Sequence, residues 1–193
     1  MRASGLGGGH VLAGEPTGLL TEAEAMDRGT AVHRLLERLH GRDATDRPAL
    51  AARLLPGHPS LPELLAEASA LLDDPALARL FGPGSLAEVE VSAPLAELGG
   101  ARLIGRIDRL VVGPDEVVAV DFKSNQAVPA DPQAVPEGIL RQMGAYRAAL
   151  AGIWPGRHIA TAILWTRTGR LMPLPDALVA AAVARAAAET GRA

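Results

Sequence analysis

Two apolar runs near the middle of the chain, rich in β-branched residues, predict a β-hairpin. The first covers residues 103–112 and the second residues 117–122, and the Gly-Pro-Asp sequence at 113–115 between them is typical of a turn. Further strands are predicted over residues 87–95 and 159–166, with a short edge segment over 170–173.

Apolar residues at helical spacing predict helices on both sides of these strands. Thr21 and Glu24 have the spacing of a capping box, which opens a helix that reaches about residue 40. Its apolar stripe follows the i, i+3, i+4, i+7 pattern of one buried helix face. The stripe consists of Val32, Leu35, Leu36 and Leu39. Other helices are predicted over residues 47–55, 60–72, 75–81, 137–151 and 176–188.

The order of elements indicates an α/β domain with a central mixed β-sheet flanked by helices. Residues 1–20 are rich in Gly and lack periodicity, which is typical of a flexible linker. The domain then covers residues 21–193, and residues 46–84 form a helical insert in which we identify no chemistry.

Composition narrows the classes of protein that fit. A chain of 193 residues with 48% hydrophobic content suits one domain with a sizeable core. The absence of cysteine excludes disulfides, thiolate zinc sites and iron–sulfur clusters. No apolar run reaches the ~20 residues that span a bilayer and no signal peptide is evident, so we expect a cytoplasmic protein without a membrane partner.

Charged residues interrupt the apolar hairpin, and burying charge is unfavourable unless it is paired or binds a metal. Asp108 lies within the first strand, and Asp121 and Lys123 lie at the end of the second. Side chains alternate along a strand, so Asp121 and Lys123 share one face while Phe122 points to the other. A structural ion pair is the ordinary explanation of such a group.

The basic residues favour a chemical role instead. Of 19 basic residues 18 are Arg, and Lys123 is the only lysine. An ion pair could use Arg, whereas a compact ammonium is not interchangeable with a planar guanidinium. The single Tyr146 and the single Asn125 also follow this segment, and Tyr146 shares a helix face with Gln142 at i, i+4, where a surface pair is the alternative.

These residues resemble the active site of the PD-(D/E)xK nucleases. The sequence motifs are most similar to those of RecB-like nuclease domains and of the C-terminal domain of the AddA subunit of bacterial AddAB helicase-nucleases. The matching pieces occur in family order over about residues 20–175. They are Arg28-Gly29-Thr30-Ala31-Val32-His33, Gly105-Arg106-Ile107-Asp108-Arg109-Leu110, Val120-Asp121-Phe122-Lys123-Ser124-Asn125, and Gln142 with Tyr146.

The resemblance implies a restriction-endonuclease-like core and metal-dependent hydrolysis of DNA. Asp108 and Asp121 are the expected ligands of Mg²⁺, or Mn²⁺ as the alternative, with His33 assisting, although a lone His beside an apolar stripe is more often only half-buried. Lys123 is expected to act in catalysis with Asp121 and Asp108. The supporting or DNA-contacting residues are expected to be Gln142, Tyr146, Arg28, Asn125 and a glutamate of the strand over 87–95, where Glu88 fits better than Glu90.

The net charge of −3 bears on how nucleic acid reaches this site. Phosphate contacts supply most non-specific affinity, and the chain has no basic excess for them. The resemblance implies a single DNA strand delivered by a helicase motor, an AddB-like partner subunit, and a role in double-strand break repair and recombination. Two alternatives stay open: a stand-alone exonuclease of the same superfamily, and a non-catalytic module that scaffolds a helicase complex.

Overall fold

A mixed five-stranded β-sheet organises the protein, in a computed structural model that describes residues 21–125 and 127–190. The strand order follows the sequence, β1-β2-β3-β4-β5. Neighbours are antiparallel except β3 and β4, which are parallel. The strands are β1 (Ser85–Leu95), β2 (Ala101–Val112), β3 (Glu116–Lys123), β4 (His158–Trp165) and β5 (Arg170–Leu174).

Six α-helices lie in the described part of the chain, divided between the two faces of the sheet. They are α1 (Glu22–Leu39), α2 (Arg47–Leu54), α3 (Leu61–Asp73), α4 (Ala78–Phe81), α5 (Glu137–Ile153) and α6 (Asp176–Thr190). The first four enclose one apolar core against the sheet, and α5 and α6 enclose the other on the opposite face. The parallel β3–β4 connection requires a crossover, which α5 supplies.

The predicted α/β fold with a mixed central sheet is confirmed. The capping box at the start of α1 forms: the Thr21 hydroxyl accepts from the Glu24 N–H, and the Glu24 carboxylate accepts from the Thr21 N–H. The apolar stripe of α1 is fully buried, as its spacing predicts. The predicted linker, residues 1–20, lies outside the described residues. None of the helices described is both long enough and apolar enough to span a bilayer.

Helix α5 is held against α6 by a close approach and by ion pairs. A Cβ on Gly144 would lie 2.3 Å from the backbone oxygen of Val179 in α6, so only glycine fits there. Along the edges of the contact, guanidinium groups of each helix pair with carboxylates of the other. These pairs are Arg141–Glu189, Arg185–Glu137 and Arg147–Asp176.

The alternation of faces along β2 breaks at Asp108. Ile107 and Leu110 both belong to the core under α5, although a spacing of three places residues of a regular strand on opposite faces. On β1, Glu88 lies between the Ala87–Arg109 and Val89–Ile107 pairs and therefore opposite Asp108. Glu88 has φ of 52°, a left-handed conformation that no other described non-glycine residue adopts. The β1–β2 pairing register is the same before and after Glu88, so the distortion redirects side chains without inserting a residue.

Candidate metal centre and active site

Three side chains from separate elements converge at the distorted point of the β1–β2 pair. His33 of α1, Glu88 of β1 and Asp108 of β2 each place one ligand atom within 4.8 Å of the others. Ligand atoms that share a cation at bond lengths of ~2.1–2.6 Å lie at most about 4–5 Å apart. The cluster thus has the dimensions of a metal site with one nitrogen and two oxygen ligands.

Backbone groups of β3 hold both His33 and Asp108. The Phe122 N–H donates to Asp108 Oδ2 at 2.6 Å, in the place where the β2–β3 ladder stops at the Arg109–Val120 pair. His33 Nε2 lies 3.2 Å from the Phe122 carbonyl oxygen, and Nδ1 lies 3.4 Å from Asp108 Oδ1. A carbonyl oxygen can only accept, so Nε2 carries the proton, and in the neutral ring the Nδ1 lone pair faces the cluster.

The charges of the cluster shift the pKa values of all three of its members. Burial raises the pKa of Asp108, but the neighbouring His33 and the Phe122 N–H outweigh burial, and the pKa is lower than usual. Burial lowers the pKa of His33, while the Asp108 carboxylate and its hydrogen bond raise it above its ordinary value. Burial and the Asp108 charge both raise the pKa of Glu88. A bound cation would relieve the repulsion between the carboxylates.

A second group of polar side chains lies beside the first, around Asp121. Lys123 Nζ is 2.8 Å from Asp121 Oδ2, on the shared strand face that alternation predicts. Gln142 Nε2 donates to Asp121 Oδ1 at 3.2 Å, and the Tyr146 hydroxyl donates to the Arg106 carbonyl at 2.8 Å. Gln142 Nε2 also lies 3.4 Å from the Tyr146 hydroxyl. Helix α5 thus positions the Asp121 carboxylate, which in turn contacts Lys123.

The Asp121–Lys123 pair is almost fully enclosed, with Asp121 buried and 19% of the Lys123 side chain exposed. Burial raises the pKa of Asp121, and the Asp108 charge raises it further against the opposing effect of Lys123. Burial lowers the pKa of Lys123, but the Asp121 and Asp108 carboxylates outweigh it and keep the ammonium charged. A charged lysine therefore lies beside the metal cluster at neutral pH.

An open pocket of about 560 Å³ leads to the cluster from the α1 side. Arg106 belongs to its wall, and its Nε lies 2.7 Å from Glu88 Oε2. The pocket is lined by Gly29, Thr30, His33, Arg34, Glu37, Arg38, Leu54, Glu88 and Arg106. Two of its three arginines are paired with its two glutamates, Arg38 with Glu37 and Arg106 with Glu88, so the lining has little excess of positive charge.

The structure brings most of the predicted site residues together, and the other two, Arg28 and Asn125, form no ion pair or hydrogen bond with them within the described residues. Of the two β1 glutamates, Glu88 contributes to the metal cluster and Glu90 is exposed. Arg28 forms an ion pair with Glu67 of α3. Asn125 follows β3 and makes no hydrogen bond within the described part of the chain. No role in the site is predicted for Arg106 from the sequence. Its position two residues before Asp108 on the same strand is the feature that could have indicated one.

A known protein family matches most of the sequence. The sequence matches the PD-(D/E)XK nuclease superfamily over residues 10–188. The chain belongs to that superfamily. Among solved structures, one titled "Crystal structure of SSO0001" is similar, with 15% sequence identity, a TM-score of 0.39, and coverage of 82% of this chain and 73% of that chain. No curated protein matches the sequence.

PD-(D/E)XK nucleases use divalent metal ions, and the residues of this chain fit one. The donor set of one imidazole and two carboxylates suits a divalent cation that accepts oxygen ligands. Asp121 lies next to the cluster, where its charge is felt by His33. Its own contacts are with Lys123 and Gln142, so among the described residues the group whose ligand atoms lie close enough to share a cation is His33, Glu88 and Asp108.

Proposed function

We propose that this protein is a metal-dependent DNA nuclease domain that hydrolyses phosphodiester bonds. The observation that carries the proposal is the convergence of His33, Glu88 and Asp108 beside a charged, enclosed Lys123. When bound, a divalent cation would supply a Lewis acid for the scissile phosphate and lower the pKa of an attacking water.

The chain's own residues supply position and charge. The Phe122 N–H fixes Asp108, and the Phe122 carbonyl fixes His33. These two contacts keep the ligand atoms of Asp108 and His33 close together. Asp121, which accepts from Gln142, positions the Lys123 ammonium, and this ammonium stabilises negative charge on a phosphate or orients water. A point charge in a site of low exposure stabilises developing charge more than the same group in water.

The resemblance of the motifs supports a more specific version of this proposal. We propose an exonuclease in the C-terminal part of an AddA-type helicase-nuclease, acting in the cytoplasm in DNA break repair and recombination. Mg²⁺, or Mn²⁺ as the alternative, would be the ion, and an AddB-like subunit the partner. The net charge of −3 supports delivery of a single strand by a motor, because it gives the domain weak intrinsic affinity for DNA.

Cleavage of end-labelled single strands in Mg²⁺ or Mn²⁺, with and without a chelator, tests the activity. Circular single strands separate an exonuclease, which needs an end, from an endonuclease. Asp108→Asn keeps an oxygen that accepts from the Phe122 N–H but removes the charge, so the fold should persist while cleavage is lost. Cleavage by a folded Asp108→Asn protein at the normal rate would refute the assignment of the site.

Binding of Mn²⁺, followed by calorimetry, tests the metal centre independently of activity. Wild type should bind, and Asp108→Asn and Glu88→Gln should each bind at least ~10-fold more weakly. A wild-type protein that binds no divalent cation and cuts no DNA would favour the alternative of a non-catalytic scaffold module.

A further inference from the structure

Arg167 lies two residues beyond β4, next to the end of β3. Its Nε donates to the Ser124 carbonyl at 3.1 Å, which orients the guanidinium. The side chain is half-buried, yet it forms no ion pair with a described carboxylate, and its two terminal amino groups donate to no described residue. A partly buried cation without a counter-ion is unfavourable, so this group is suited to an anion from outside the chain.

The two charged side chains next to Arg167 balance each other, so the charge of Arg167 itself is the uncompensated one. Burial lowers its pKa, and the neighbouring Arg28 lowers it further, while Glu67 acts in the opposite direction. Glu67 is already paired with Arg28, so the three side chains carry a net charge of one positive unit. Lys123 directly precedes Ser124 in the chain, but its charge is paired with Asp121.

Gly29 of α1 keeps this corner open. A Cβ at Gly29 would lie 3.0 Å from the Ser124 hydroxyl oxygen, which itself makes no hydrogen bond within the described residues. Glycine inside a helix costs about 1 kcal/mol relative to alanine, and here it leaves the Ser124 hydroxyl uncovered. Gly29 also lines the pocket that contains His33 and Glu88, so the Ser124 hydroxyl adjoins that pocket at Gly29.

We propose that Arg167 and the Ser124 hydroxyl form a binding site for a backbone phosphate of the nucleic acid strand, one that neighbours the phosphate being cut. The proposal rests on the nuclease function and adds a substrate contact to it. Guanidinium binds phosphate through parallel hydrogen bonds, and the two terminal amino groups of Arg167 are available for them. Contact at a neighbouring phosphate would fix the register of the strand against Lys123.

A neutral-linkage scan tests this contact. One methylphosphonate is placed at successive positions of a short labelled single strand, and affinity is measured by anisotropy at low salt without metal. In wild type, one position should weaken binding about tenfold, the loss expected for a charge-assisted hydrogen bond. Arg167→Gln should bind the unmodified strand about tenfold more weakly and lose that positional effect, because the two changes remove the same contact.

Arg170→Gln is the matched control, since it removes the same charge nearby. Arg170 is exposed, and its guanidinium donates hydrogen bonds to the carbonyl oxygens of Pro129 and Ala130. This variant should keep the positional effect of wild type. Mn²⁺ binding should be unchanged in both variants, because neither residue belongs to the metal cluster.

Each outcome decides the proposal. A positional effect that persists in Arg167→Gln, or a wild type that binds DNA with no positional effect, overturns the phosphate site and leaves the nuclease function standing. A wild type that neither binds nor cuts DNA overturns both. If Arg167→Gln melts far below wild type, Ser124→Ala provides the same scan with the guanidinium intact, and it should reduce the positional effect.

Discussion

The contact between α5 and α6 yields a quantitative prediction for Gly144→Ala. The added Cβ would lie 2.3 Å from the Val179 backbone oxygen and 2.5 Å from Val183 Cγ2. Ordinary contacts begin near 3.4 Å, so α6 has to retreat by about 1 Å. The Val179 carbonyl belongs to a helix and cannot turn aside without loss of a helical hydrogen bond.

Two opposing effects set the magnitude. Overpacking costs roughly 1–3 kcal/mol, and a backbone clash belongs at the upper end of that range. Alanine in place of a helical glycine returns about 1 kcal/mol. The free energy of unfolding should therefore fall by about 2 kcal/mol. For a protein of this size that corresponds to a melting temperature lowered by about 4–8 °C.

Gly152→Ala in the same helix is the control, because a Cβ there meets nothing within 4 Å. It should gain up to about 1 kcal/mol and melt slightly higher than wild type. Thermal and urea unfolding of the three proteins provide the comparison. Well below the melting temperature, Gly144→Ala should cut DNA normally, because Gln142 and Tyr146 contact the site from another side of α5. A Gly144→Ala protein as stable as Gly152→Ala would refute the steric argument.

Three further predictions concern the site and the helix pair. Lys123→Arg should fold and bind Mn²⁺ normally but cut DNA ~10²-fold more slowly in single-turnover assays, because the bulkier guanidinium places the positive charge of the side chain elsewhere. Near-normal cutting would make Lys123 a structural counter-ion. Glu88→Gly should raise the free energy of unfolding by about 1 kcal/mol, since glycine tolerates the φ of 52° without strain. The same variant should bind Mn²⁺ more weakly, and a melting temperature below that of wild type would contradict backbone strain at Glu88. Hydrogen bonds from Arg185 and Arg141 lower the pKa of Glu137, so its contribution to stability is present above the ordinary pKa of about 4.3 and is lost as pH falls through the lowered value. Glu137→Gln should thus melt below wild type at neutral pH and converge with it in acid, and an equal difference at all pH values would exclude this linkage.

Sequence patterns predicted those features that depend on regular periodicity. The stripe of α1 is buried at every predicted position, because a helix repeats its faces at 3.6 residues. Alternation along β3 likewise predicted that Asp121 and Lys123 share a face, and they form an ion pair. Both results follow from local backbone geometry, which a single segment of sequence contains.

The remaining features depend on contacts between distant segments. The left-handed conformation of Glu88 and the change of faces at Asp108 belong to a strand pair, and a glutamate gives no local sign of positive φ. Arg28 matched a nuclease motif, but its partner Glu67 lies in the insert, where we identified no chemistry. Gly144 is one of several glycines in predicted helices, and only the packing of α6 shows why it is required.

The enclosure of Lys123 has a practical consequence for chemical labelling. Apart from the α-amino group, this chain offers acylating reagents a single amine, and that amine is mostly shielded and kept protonated by two carboxylates. Only the unprotonated amine is nucleophilic, so acylation of Lys123 should be slow. Any ligand that draws Asp121 away or covers the ammonium will change that rate, and mass spectrometry of one peptide would record it. The wild-type protein thus contains an intrinsic reporter of events in its own site.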